Sequence, residues 1–174
     1  MIWLFIVLGV VLLLVIIMYN RLVRLRNVMR KSQSSICVYL QQRFDLIPNL
    51  MNVVKGYVAH EKEVLTEITG LRAQAMTDMK AANQLNAKMA ELFAVAESYP
   101  DLKASEQFLK LQQELSKMEN QLQAARRAYN MSVNDYNTAV EMFPSSIVAA
   151  IFGFKKGDLF ESTDSIKGNV KIEF

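Results

Sequence analysis

The sequence predicts an all-α protein: an N-terminal transmembrane helix that continues into an antiparallel four-helix bundle with two long and two short helices. Three observations predict it. Residues Ile2–Met18, "IWLFIVLGVVLLLVIIM", carry no polar side chain. Beyond them, apolar residues recur every three or four positions through most of the 174-residue chain. Only six glycines and three prolines interrupt a composition that is 52% apolar, which suits long helices joined by few turns.

The anchor is assigned to residues 1–19. As a helix it is roughly 28 Å long, close to the ~30 Å hydrocarbon core of a bilayer. Trp3 and Tyr19 stand near its two ends, where amphipathic aromatic rings favour the interface. A cleaved signal peptide would need a basic start and a small-residue cleavage site. Neither is present, so an uncleaved anchor is expected. Arg21, Arg24, Arg26, Arg30 and Lys31 follow directly, with no Lys or Arg before the run. The positive-inside rule then predicts the N-terminus outside and the body in the cytoplasm. From Tyr19 to Lys62 there are eight Lys/Arg and two acids, and from Glu63 onward twelve and fifteen. A basic cluster beside an anchor is explained by orientation and by anionic headgroups. The expected partner is therefore the lipid bilayer and no nucleic acid.

The body is assigned to residues 20–143. Ile36, Leu40, Phe44, Ile47, Met51, Val54 and Val58 form one helical row, and Leu46, Leu50, Val53 and Tyr57 a second beside it. Both rows keep phase across Pro48. This predicts a kinked but continuous helix in which the Phe44 carbonyl loses its helical partner. A turn is needed within Gly56–Glu61. Val64, Leu65, Ile68, Leu71, Ala75 and Met79 mark one short helix, and Leu85, Met89, Leu92, Phe93 and Ala96 another. "SYPDLKAS" is a turn. The last long helix carries Phe108, Leu111, Leu115, Met118, Leu122, Ala125 and Tyr129, continued by Val133, Tyr136, Val140 and Phe143. A seam of that length demands a partner as long, which only the first helix offers. Pairing Val58 with Lys103 sets Arg21 level with Glu141, Arg26 with Asp135, Arg43 with Glu119, Asp45 with Lys117 and Lys55 with Glu106.

Residues 144–174 are read as an apolar membrane-proximal segment and a strand-like C-terminal tail. In "FPSSIVAAIFGFKKG", Ser145 or Ser146 can cap a short helix whose Ile147, Val148, Ile151, Phe152 and Phe154 either close the core or lie on the bilayer. The tail "NVKIEF" alternates as a strand does, with no partner strand evident in the chain.

Catalytic residues, a cofactor site and metal ligands are all expected to be absent. A di-metal bundle site needs Glu-x-x-His twice, whereas His60 is the one histidine and residue 57 is Tyr. "HEKEV" is not H-E-x-x-H, because residue 64 is Val. His60 is read as a surface or turn residue, and Glu61 and Glu63 as first-turn acids. Cys37, the single cysteine, is read as a small packing residue. One echo remains: "YNRLVRLRN" at 19–27 and "YNMSVNDYN" at 129–137 each carry asparagines seven apart. Asn20, Asn27, Asn130 and Asn137 are expected to align the seam between the long helices, with Asn27 meeting Asn134. A polar surface for a partner is the other reading.

These stretches also carry a resemblance. "YNRLVRLRN", "RFDLIPNLMNVVKGYVAHE", "AVAESYPDLKAS", "RRAYNMSVNDYN" and "FPSSIVAAIFGFK" occur in the order found in the LemA family of bacterial membrane proteins, which the sequence resembles over nearly its whole length. Gln33 stands where that family often carries Trp, a mild departure. The resemblance implies one N-terminal span, a helical bundle and no established catalytic activity. It also implies an envelope protein partner, such as a TPM-domain protein or a membrane metalloprotease. The expected function is a non-enzymatic, homo-oligomeric scaffold at the bacterial cytoplasmic membrane. The alternative is an adaptor or sensor subunit that recruits an envelope protease or stress-response partner.

Overall fold

The computed structural model describes residues 1–57, 62–75 and 79–160. The fold among them is all-helical, with no strand. The helices are α1 (Ile2–Lys55), α2 (Lys62–Gln74), α3 (Met79–Ala96), the single turn α4 (Pro100–Lys103), α5 (Glu106–Glu141) and α6 (Ser145–Ile151). The tail "NVKIEF", His60 and Glu61 lie outside the described residues.

α1 begins in the apolar run. It contains an eighteen-residue window long and apolar enough to cross a membrane, and none of that window is buried against protein. It then runs through Pro48 without a break. It ends at Lys55, where Gly56 and Tyr57 turn on hydrogen bonds to the Val53 and Val54 carbonyls. Tyr57, placed by its spacing in the inward row, is exposed at this turn.

Two compact units are present, and α1 and α5 contribute residues to both. The first comprises Met1–Ser34 and the described part of Ala125–Phe174; the second is Ser35–Ala124.

In the second unit one core takes Phe44, Ile47, Leu50, Met51 and Val54 from α1, Val64, Leu65 and Ile68 from α2, and Leu85, Met89 and Leu92 from α3. Leu102 of the α4 turn and Phe108 and Leu115 of α5 complete it. Apart from Leu102, which was read as part of a turn, these are the positions that helical spacing assigned to the interior, and their burial is the main source of stability there. Phe93 and Phe108 meet edge-on with centroids 6.1 Å apart.

Polar contacts in this unit sit at the margin. Arg43 pairs with Glu119 at 2.6 Å, as the expected register requires. Asp45 instead turns to Arg72 at 3.7 Å and accepts from the Gln41 side chain at 2.8 Å. Lys88 lies 2.7 Å from Glu67 and 2.9 Å from Glu91, whose carboxylates, Glu67 first, hold the ammonium above its ordinary range. Cys37 is exposed, contrary to the packing role expected of it. It lies one residue, or ~100° around the helix, from inward-facing Ile36.

Pro48 has a consequence that the sequence left open. Proline has no N–H, so the carbonyl four residues earlier loses its helical donor. That carbonyl belongs to Phe44, and Arg72 Nε donates to it at 2.8 Å. A guanidinium on α2 thus completes the hydrogen bonding of α1 where the proline interrupts it.

Candidate functional site

The densest polar constellation among the described residues lies in the first unit, on "YNMSVNDYN" of α5. Seven helical residues rise ~10.5 Å, so the pair Tyr129–Asn130 recurs on nearly the same face as Tyr136–Asn137. Three extended residues cover ~10 Å. The chain after α6 uses that match.

Tyr136 donates its hydroxyl to the Lys155 carbonyl at 2.9 Å. Asn137 grips both backbone groups of Gly157: its amide donates to the carbonyl at 2.9 Å and its oxygen accepts from the N–H at 2.8 Å. One repeat along, Tyr129 donates to the Asp158 carbonyl at 3.0 Å. Asn130 then grips Phe160 in the same two ways, at 3.1 and 2.7 Å. Each Tyr-Asn pair therefore holds the carbonyl of one strap residue and both backbone groups of the residue two further on. The second pair does so three strap residues away, with the strap running opposite to α5.

Two local devices deliver the strap. Gly153, with φ +70°, lies just beyond α6 in the left-handed region, and the Phe154 N–H reaches back to the Ala149 carbonyl at 2.9 Å. This is the six-to-one closure of a glycine-ended helix. Before α6, Ser145 or Ser146 was expected to serve as a cap, but Pro144 holds that position and no side chain caps the helix; Ser145 has another role. Its hydroxyl is instead directed at the Ala139 and Met142 carbonyls, at 2.7 and 2.9 Å, and so closes the end of α5.

Side chains of the strap complete the fastening. Phe154 is buried, edge-on to Tyr19 at 5.6 Å, with the Arg26 guanidinium 5.0 Å from its ring centre. Arg126 lies 4.8 Å over Phe160, and Lys156 pairs with Glu141. Gly157 passes so close to α1 that a Cβ there would sit 2.7 Å from Met29 Sδ. Burial pushes the Tyr136 hydroxyl above its ordinary value of 10.0, against the opposing pull of Arg26 and Arg30.

Two expectations are corrected and one alternative is resolved. Asn130 and Asn137 do not reach across to α1; their amides are occupied by strap backbone, while Asn27 and Asn134 are exposed. Of the two readings open for the apolar segment, closing the core holds for Phe154, which belongs to the core with Leu22, Tyr136, Ala139, Val148 and Ala149. Arg26 and Glu141, paired in the expected register with Asp135 and Arg21, instead contact Phe154 and Lys156.

α6 has two unlike faces. Ser145, Val148 and Ala149 point inward, whereas Ile147, Ile151 and Phe152 are exposed, as is Phe143 before the helix. Among the described residues no group of three or more His, Cys, Asp or Glu side chains could hold a metal ion. The arrangement holds extended backbone, with the Tyr and Asn side chains serving as its hydrogen-bonding groups.

The sequence model of the LemA family matches residues 32–174. The chain is 26% identical over 152 residues to protein LemA of Metamycoplasma hominis, covering 83% of this chain and 69% of that protein. It is 22% identical over 175 residues to magnetosome protein MamQ 2 of Paramagnetospirillum magneticum, and over 174 residues to magnetosome protein MamQ of Magnetospirillum gryphiswaldense. In both cases 82% of this chain is covered, and the chain spans 64% of the relative's length. The family match takes in the periodic body from residue 32, the Tyr-Asn repeat and the strap held by it, and on that match the chain belongs to the LemA family.

Proposed function

We propose that the protein is a non-enzymatic, single-pass scaffold of the bacterial cytoplasmic membrane. In this reading α1 crosses the bilayer with its N-terminus outside. The body is an antiparallel four-helix bundle in the cytoplasm, and copies assemble side by side. The observation that carries the proposal is the Tyr-Asn repeat. The polar groups best placed to form a site are committed to backbone of the same chain, which fastens a rigid body directly after a membrane-crossing helix. The Arg43–Glu119 pair supports the antiparallel register. The exposed arginines that follow the apolar run, Arg21 and Arg24, support the orientation.

The mass of the intact particle, extracted in mild detergent, tests this reading. A discrete homo-oligomer several protomers in size is expected. A monomer would sink the scaffold and favour the adaptor reading, in which an envelope protein is the partner. One observation favours that second reading: an open groove between α2 and α3, lined by Leu71, Gln74 and Gln84 with Lys88 and Glu67 at its edge.

A further inference from the structure

We infer that α6 is an interfacial foot whose outer face lies in the bilayer beside the span. The inference rests on α1 crossing the membrane, and it adds a second contact with lipid at a defined depth.

The position of α6 along α1 is fixed by packing. The core that Val148, Ala149 and Phe154 share with Leu22, Tyr136 and Ala139 has Val15 and Met18 packed against it, and both belong to the uncharged run. Phe152 packs at a tilt against Tyr19, the residue after that run, with centroids 4.9 Å apart. α6 is therefore level with the last turn of the apolar segment, where hydrocarbon gives way to headgroups. Its outward residues suit that level. Ile147 and Ile151 are one turn apart on one face, 53% and 71% exposed, and Phe143 and Phe152 flank them at 79% and 54%. From Phe143 to Phe154 there is no charged residue.

Charge appears only at the rim: Arg21 and Arg24 on α1 and Lys155 after α6 are exposed, and the one acid beside Phe143, Glu141, is paired with Lys156. A surface of aliphatic and aromatic side chains edged by cations complements anionic headgroups over acyl chains. A second copy would bring the same cations against themselves. Contiguous apolar surface of this kind demands cover, and the bilayer that receives Val15 and Met18 is already at hand. Insertion to ~5–10 Å is the depth expected of such a helix.

Brominated-lipid quenching tests this on the full chain in phosphatidylcholine–phosphatidylglycerol vesicles. Trp3 is the one native tryptophan and reports on the span. Ile151→Trp in a Trp3→Phe background reports on α6, and Ile147→Trp is the second reporter should the first variant lose helix content. About twofold quenching is expected, stronger from bromines at carbons 6 and 7 than from bromines at carbons 11 and 12. If Trp3 is quenched and neither α6 reporter is, the foot is overturned while the span stands. If Trp3 also escapes quenching, the span itself fails. A blue-shifted, unquenched α6 reporter whose shift grows with protein density in the vesicle would mean that a second copy covers the face, which also overturns the proposal.

Discussion

The two units are held together by different means. In Ser35–Ala124 the stabilising contacts are side chain against side chain. Leu50, Val54, Ile68, Leu92 and Leu102 are almost wholly enclosed, and ion pairs sit at the edge. In the unit built from the start of α1 and the end of α5, the core is small, and much of the fastening is side chain against backbone. The difference shows what each arrangement asks of its sequence. Apolar packing asks for periodicity and tolerates exchange among similar side chains. A clamp on backbone asks for particular groups, an amide and a hydroxyl at a fixed spacing, but little of the segment it holds beyond room, as at Gly157.

The sharpest way to break the comparison is to remove the clamp. Asn137→Ala deletes two hydrogen bonds to Gly157 and leaves both backbone groups without that partner, at a cost of about 2 kcal/mol. Asn130→Ala should cost a similar amount. The double variant should cost clearly less than the sum, because a strap released at one repeat is half released at the other. Urea unfolding in detergent measures the energies. Trypsin cleavage after Lys155 or Lys156 should quicken by roughly tenfold per 1.4 kcal/mol of lost strap stability. Full additivity would show that the two repeats hold the strap independently.

How much of this was legible follows from the same contrast. The all-helical fold, the apolar N-terminal run and the inward rows of α1 and α5 could be read because helical burial imposes a period, whereas the turn after α1 was bracketed only within Gly56–Glu61. The strap could not. "KKGDLF" has no period, and backbone groups leave no trace in side-chain composition. The asparagines were noticed for their spacing but were assigned to the wrong partner. A heptad on a helix suggests another helix, yet it equally matches three residues of extended chain. Phe154 was left between two readings for a related reason, since only the reversal at Gly153 turns it inward. Arg72 was missed because its partner is a carbonyl freed by Pro48, a vacancy that can be deduced from sequence but whose occupant cannot.

The second unit contains one such contact, and testing it sharpens the comparison from the other side. Arg72→Leu should cost about 1–2 kcal/mol, because the Phe44 carbonyl is left without a donor. Pro48→Ala alone should be neutral or stabilising, since a helical N–H returns. In that background Arg72→Leu should cost about 1 kcal/mol less than in the native chain. Equal costs in the two backgrounds would mean that Arg72 acts through Asp45 rather than through the carbonyl.

The smallest expected effect concerns Tyr136 and the pH dependence of the first unit. Its hydroxyl is held above 10.0, chiefly by burial, and donates to the Lys155 carbonyl. The folded state therefore keeps this proton to higher pH than the unfolded chain does. The resulting contribution is fully present below the unfolded value near 10 and is lost as pH rises through the folded value. Tyr136→Phe should cost about 1 kcal/mol near neutral pH through the lost hydrogen bond. It should also flatten the fall in stability above about pH 10, since the group whose ionisation drives part of that fall is gone. Urea midpoints taken between pH 8 and 11 for the native chain and for Tyr136→Phe decide the matter. An alkaline slope equal in the native chain and in Tyr136→Phe would show that burial of this hydroxyl does not couple the strap to pH.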